Sequence, residues 1–332
     1  MYMRVLYNDI DRAAWSRLVA ESTTSTWFQM PEAYDFFASQ PELFEAFAIG
    51  IENNGLRGVC VGYVTKEKNA LKQFFTRRAI IIGGPCLAND CTNKEVENLI
   101  NAIRDELKQD AIYIETRNFN DYSRWKEAFE NAGFAYQPHL NFHIDCTDKD
   151  TMWERMNENR KRQIKKALQN GACVEEALSE DDIIAWYSIL KNLYRTKVKT
   201  PLFPLSFFMA FYRQGLGKYL LVKKDNHVIG GIMCPIWDKK CIYEWFVCGD
   251  DVAYKAESPS VMATYGAMEY ANAHAIPKFD IMGAGKPNVP YGVRDFKAEF
   301  GGQLVEYGRF LNVRKPLLYK IGLLGVKILK MR

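Results

Sequence analysis

Near the end of this 332-residue chain, the stretch YGVRDFKAEFGG, residues 291–302, sets Lys297 between Phe296 and Phe300 and closes on a double glycine. A lysine in that setting has two uses. Its stem can lie over a core while the ammonium reaches solvent, or its aromatic flanks can hold the charge in dry surroundings, where it acts strongly. A second cluster, RKRQIKK, brings Arg160, Lys161, Arg162, Lys165 and Lys166 within two helical turns. It reads either as a solvated helix face or as a site for a polyanion. Asp280, in KFDIMG, stands at a strand end, where a carboxylate can hold a loop or accept a proton. Tyr243 and Trp245, in IYEWF, alternate to one face of a strand, the spacing of core packing or of a substrate-facing pair.

Composition bounds what these groups can be part of. Hydrophobic residues make up 48% and charged residues 25%, which is globular, and the length favours two domains. A formal charge of +4 is too mild for wholesale nucleic-acid binding, so local clusters decide. Eight cysteines without a C-x-x-C pair, and four scattered histidines, spell neither a zinc site nor a disulfide framework, and no metal or cofactor is expected. The N-terminal MYMRVLYNDIDRAAW lacks a signal-peptide pattern and no stretch is long enough to span a bilayer, so a cytoplasmic location is expected.

The elements that must position these residues come in an order carried through twice. Helices over 11–21 and 31–39 precede a hairpin turning at Asn53-Asn54-Gly55, a strand ending in Gly83-Gly84-Pro85, a helix over 93–109, a strand over 111–117, a helix over 122–131 and a strand over 140–146. Helices over 151–169, 181–197 and 205–214 then lead to three strands with turns at Asp225-Asn226 and Asp238-Lys239. A helix over 259–274, a strand over 278–283 and a last strand over 303–313 complete the second round. This is a tandem α/β (α+β) repeat with mixed sheets, and its order of elements suits two acetyltransferase-like (GNAT) domains better than a doubly wound nucleotide-binding fold. Neither G-x-G-x-x-G nor a phosphate-binding P-loop occurs. The expected domains are 1–147 and 148–314, followed by a basic amphipathic helix over 315–332.

The succession NRKRQIKKALQNG, then VMATYGAMEYANAHAIPKFDIMGAG, then VRDFKAEFGGQLVEYGRFL resembles the Fem (FemABX-like) family of peptidoglycan bridge-forming aminoacyltransferases. The resemblance covers essentially the whole chain, since that family is built from two GNAT-like domains, and Gly83-Gly84-Pro85 is similar to its Gly-Pro turn. It implies acyl transfer, in which an amine attacks an activated ester carbonyl. The donor would be aminoacyl-tRNA and the acceptor the peptide of a lipid-linked or UDP-linked peptidoglycan precursor. Lys297 matches the lysine that the family's F-K motif presents to the reacting acyl group. On this reading Lys297 and Asp280 are catalytic, and Lys161, Arg162, Lys199, Tyr243 and Arg294 bind substrate. Exchanging Lys297 for methionine is expected to slow transfer while the fold holds. After the Gly-Pro turn, Asp90 is the nearest substitute for the acid the family places there.

Two other readings stay open: an acyl-CoA-dependent N-acyltransferase acting on a cell-surface glycan or lipid-linked intermediate, and a non-catalytic binding relative. The segment KPLLYKIGLLGVKILKMR aligns Leu317, Ile321, Leu324 and Ile328 on one helical stripe beside Lys320, Lys327 and Lys330. It reads as a helix docked on its domain or as one resting on the inner face of a membrane.

Overall fold

Local signals in the sequence set most of the elements. The structure, a computed structural model, describes residues 3–67, 69–108, 111–237 and 239–331, without the side chains of 70–72 and 326–331. Two compact units divide it: Met1–His139 with Glu306–Arg332, and Leu140–Val305.

The first unit contains β1 (Met3–Leu6), α1 (Arg12–Glu21), α2 (Pro31–Ala38), β2 (Phe44–Glu52), β3 (Leu56–Thr65), α3 (Ala70–Thr76), β4 (Ala79–Gly83), β5 (Cys86–Leu87), α4 (Asn93–Glu106), β6 (Tyr113–Asn118), α5 (Lys126–Asn131) and β7 (Ala135–Gln137). Asn54 and Gly55 take positive φ angles of 54° and 113°, and the β2–β3 hairpin pairs antiparallel around them. Thr92 and Glu95 form a reciprocal capping box on α4, whose Val96, Leu99, Ile100 and Ile103 are buried against the sheet. The expected end of that helix at Gln109 lies outside the described residues.

The second unit runs β8 (Leu140–Asp145), α6 (Lys149–Arg155), α7 (Glu158–Gln169), β9 (Cys173–Glu176), α8 (Glu180–Leu193), α9 (Leu205–Arg213), β10 (Gly217–Lys224), β11 (His227–Trp237), β12 (Cys241–Tyr243), β13 (Phe246–Gly249), α10 (Pro259–Ala273), β14 (Lys278–Asp280), α11 (Gly292–Ala298) and β15 (Gln303–Glu306). The chain then returns to the first unit with β16 (Arg309–Val313) and α12 (Pro316–Met331). Asp225 and Asn226, at φ 48° and 61°, turn the β10–β11 hairpin. Asp238, of the second expected turn, is outside the described residues. The expected helix over 151–169 is two helices, because Asn157 turns extended and caps α7 through the amide of Asn159.

The first sheet is ordered β1-β2-β3-β4-β6-β16-β7 with β5 on β3, and the second β15-β8-β14-β12-β11-β10-β9 with β13 on β11. The same plan occurs in both. A long strand (β3 or β11) pairs antiparallel with a broken strand (β4 and β5, or β12 and β13), which pairs parallel with the next (β6 or β14) after a helix (α4 or α10). In the second unit α6, α7 and α10 cover one face with Met152, Ile164, Val261 and Met268. On the other face Trp186 of α8 and Phe211 of α9 pack on Tyr219.

The boundaries expected at 147/148 and 314/315 fall elsewhere. The strand over 140–146, assigned by its position to the first domain, is β8 of the second sheet, paired with β14. The segment expected as one strand over 303–313 is two, split at Gly308. There φ is 62°, and an added Cβ would lie 2.3 Å from the Tyr136 ring. Its second half, β16, sits between β6 and β7 of the first sheet. Alternation of side chains marks a strand but does not name its partner.

Candidate functional site: a charged centre at a strand break

In the second unit β12 and β14 run parallel until Tyr243 pairs with Asp280. Past that point they part. The Glu244 amide still donates to the Asp280 carbonyl at 2.9 Å, but the chain then turns to join β11 as β13, while 281–283 leave the sheet with Met282 and Gly283 at φ 40° and 65°. Left-handed backbone at a non-glycine residue persists only where its surroundings over-determine it. Here they do. Asp280 Oδ1 accepts from the Met282 amide at 2.9 Å and Asn141 Oδ1 from the Gly283 amide at 3.0 Å, while Asn141 Nδ2 donates to Asp280 Oδ1 at 2.8 Å.

Lys297, from α11, reaches into this gap. Its Nζ stands 3.0 Å from Glu244 Oε1 and donates to the carbonyls of Ile281, Met282 at 2.6 Å and Gly283 at 3.2 Å. Glu244 Oε2 accepts from Thr264 Oγ1 at 3.2 Å. The Lys297 and Glu244 side chains are only 7% and 3% exposed. Burial raises the Glu244 carboxyl above its ordinary value, against the pull of the Lys297 charge. Lys297 is therefore the buried charge rather than the snorkelling one, and its N–H groups close the strand break.

Beside this pair, Asp280 is fully buried and its Oδ2 lies 3.1 Å from His143 Nε2, on the strand directly opposite. Burial alone would raise Asp280, but the His143 contact, the Lys278 charge and the Asn141 bond outweigh it and bring the carboxyl below its usual value. His143, 15% exposed, is the polar outlet of this dyad.

The other expected residues are distributed differently. Arg160 stacks over Phe296 at 4.3 Å and Phe300 at 5.2 Å, with Nε 3.2 Å from Glu299, so it bolts α11 to α7 instead of facing a phosphate. Lys161 donates to the Glu154 carbonyl at 3.1 Å and pairs with Glu158 at 2.8 Å, closing the end of α6. Of the two preferred basic ligands only Arg162 is exposed, bonded to Asn159 at 2.8 Å. Arg294 ties the loop before α11 through the carbonyls of Lys286 and Val289. Lys199 is exposed at the end of a π-turn over Tyr194–Val198, with φ 53°. Tyr243 is buried and supports Asp280 from the neighbouring strand. In the first unit Asp90 is an exposed partner of Arg57 at 2.7 Å.

Sequence reading missed Glu244 and His143. Glu244 interrupts the apolar run IYEWF, the one local signal of its role; His143 carries none, because its partner lies across the sheet.

The matching strand break of the first unit is neutral. Tyr122 fills it, donating to the Pro85 carbonyl at 2.6 Å, and Gly84, at φ 80°, leaves room for that ring. Buried charge is costly, and of the two breaks the second unit's holds the ion pair.

The loop leading into α10 is closed by its own groups. The amides of Ala253 and Ser260 donate to Asp250 and Asp251 side chains at 3.2 and 3.0 Å, and Ser260 Oγ donates to Asp251 at 2.5 Å. Backbone carbonyls take the amides of Tyr254, Glu257, Ser258, Val261 and Met262. A helix N-terminus receives phosphate through free amides; here a carboxylate already occupies that position.

The model of the Acetyltransferase (GNAT) domain family matches residues 154–297, ending at Lys297. FemX is similar in structure over 96% of this chain and 99% of its own, with a TM-score of 0.70 at 13% identity. The chain has a Fem-like tandem GNAT fold. L-PGS from Bacillus licheniformis is similar over 97% of both chains, with a TM-score of 0.58 at 9% identity. A tandem GNAT protein from the clavulanic acid biosynthesis pathway aligns over 95% of this chain and 99% of its own, with a TM-score of 0.56 at 8% identity. Comparison with curated proteins finds no match.

Proposed function

We propose that this Fem-like tandem GNAT chain is an aminoacyltransferase that adds an amino acid, carried by aminoacyl-tRNA, to the peptide of a peptidoglycan precursor. The observation carrying the choice of donor is the self-capped entry to α10. Asp251 caps the start of α10 with its own carboxylate, which disfavours a phosphate there and supports an ester donor over CoA.

The acceptor amine must lose a proton as it attacks the ester carbonyl, and the departing ribose oxygen must gain one when the C–O bond breaks. Both oxygens of Asp280 are engaged, so it orients His143, and the imidazole takes the amine proton and returns it to the leaving oxygen. Lys297 and Glu244 hold carbonyls 281–283 in place beside that dyad, so the lysine acts by fixing the backbone around Asp280. Arg162 and Lys199 are exposed cations for the phosphates of the donor or of the precursor.

Purified chain should transfer the amino acid from aminoacyl-tRNA to a UDP-linked or lipid-linked precursor in single turnover, and acetyl-CoA should not replace the donor. Muropeptides from cells with and without the gene should differ in the cross-bridge. His143→Gln should slow transfer about a hundredfold and flatten the rate's pH profile. Unchanged muropeptides together with transfer from acetyl-CoA would overturn this reading in favour of an acyl-CoA-dependent N-acyltransferase.

A further inference from the structure

The helix α12 lies in the first unit, away in sequence from the strand break of the second, and presents two faces of opposite use. Its inner face packs: the Tyr319 ring sits 5.2 Å from that of Tyr113, and Gly322 passes close to the Phe75 carbonyl of α3. Its outer face is apolar and uncovered. Leu317, Ile321 and Leu324 are 73%, 43% and 61% exposed, at the spacing of one helical stripe, and Phe74 on the adjoining α3 is 58% exposed. A docked terminal helix would turn such a stripe inward.

Charge narrows what can cover it. From Arg314 onward the sequence carries Arg314, Lys315, Lys320, Lys327, Lys330 and Arg332 and no acidic residue. Lys320 is exposed beside the stripe; the side chains of Lys327, Ile328 and Lys330 lie outside those described. A second copy of this chain would bring the same cations against themselves, which repel. An anionic bilayer accepts both features at once, leucines entering the acyl boundary and lysines meeting headgroup phosphates. Among the described residues no helix is long and apolar enough to cross a membrane, which leaves a surface orientation for α12 against a bilayer.

We infer that α12, with Phe74 of α3, is a membrane-surface docking face selective for anionic lipid. The inference is independent of which acyl group the second unit handles. It is tested by sedimenting the full chain with phosphatidylcholine vesicles and with vesicles containing about a third phosphatidylglycerol.

Binding should require the anionic lipid and weaken as salt rises. Lys315→Ser with Lys320→Ser should weaken it about tenfold or more. Leu317→Ser, Ile321→Ser and Leu324→Ser together should weaken it at least a hundredfold even at low salt, about the loss of three buried side chains, with an unchanged melting temperature. Equal binding to neutral vesicles, an unaffected triple variant, or no vesicle binding would each overturn the inference. Concentration-dependent dimerisation abolished by the triple variant, without vesicle binding, would assign the face to a second copy. Light scattering on the same samples reads that outcome.

Discussion

Lys297→Met removes one ammonium but strands several partners. The Glu244 carboxylate stays buried, and the carbonyls of Ile281, Met282 and Gly283 lose their shared donor. Breaking a buried pair from one side costs about 3–5 kcal/mol, so the variant should melt well below the parent, contrary to the expectation from sequence that the fold would hold. Adding Glu244→Gln should recover part of the loss, because a neutral amide tolerates burial better. Thermal melts of the parent, both single variants and the double variant give the coupling, and additive effects would show that the pair does not interact. Activity of Lys297→Met therefore has to be read on protein shown to be folded. At this scale the sequence was half legible: the flanking phenylalanines of Lys297 announced a dry setting, while Glu244 and His143 acquire meaning only through partners across the sheet.

Strand β16 shows why elements were easier to read than their neighbours. RFLNV reads as a strand, and its position after β15 suggests the same sheet; yet Arg309 pairs with Glu115 at 3.0 Å and Phe310 stacks on Phe129 at 4.0 Å, both in the first unit. The hairpins at Asn54-Gly55 and Asp225-Asn226 were legible because their turn chemistry is local. The exchange of β8 and β16 was not, because sheet pairing is non-local. Glu115 carries a test of this pairing. Burial would raise it, but Arg117 and Arg309 bring its pKa from 4.5 down to about 2. A depressed carboxyl stabilises the fold above its unfolded value, and the contribution is lost as pH falls from 4.5 through about 2. Arg117 and Arg309 stay charged across this range, so the pH dependence comes from Glu115 and is on the order of 3 kcal/mol. Glu115→Gln should be destabilised by that amount at pH 7, with the gap closing toward pH 2; a gap that persists in acid would trace the loss to packing instead of charge.

The molecule as a whole is one continuous unit inserted into a discontinuous one. Leu140–Val305 contains every strand of the second sheet from β8 to β15 but for the last residue, Glu306, together with the Lys297 centre. Met1–His139 lacks β16, the strand between β6 and β7. Without it β7 has no partner on the β6 side, Glu115 loses Arg309, and the Phe310 ring leaves a core it fills, a loss of about 3–5 kcal/mol for that side chain alone. That is a large fraction of the stability of a domain. The fragment 140–305 should therefore unfold cooperatively on its own, and the fragment 1–139 should not. Because the Gly308 amide donates to the His139 carbonyl at 3.2 Å, a short glycine-rich linker can join His139 to Glu306. A chain of 1–139 so joined to 306–332 should regain a cooperative transition in denaturant. Cooperative unfolding of 1–139 alone, with the same midpoint as the joined chain, would show that β16 is dispensable and return the first unit to the continuous domain expected from sequence.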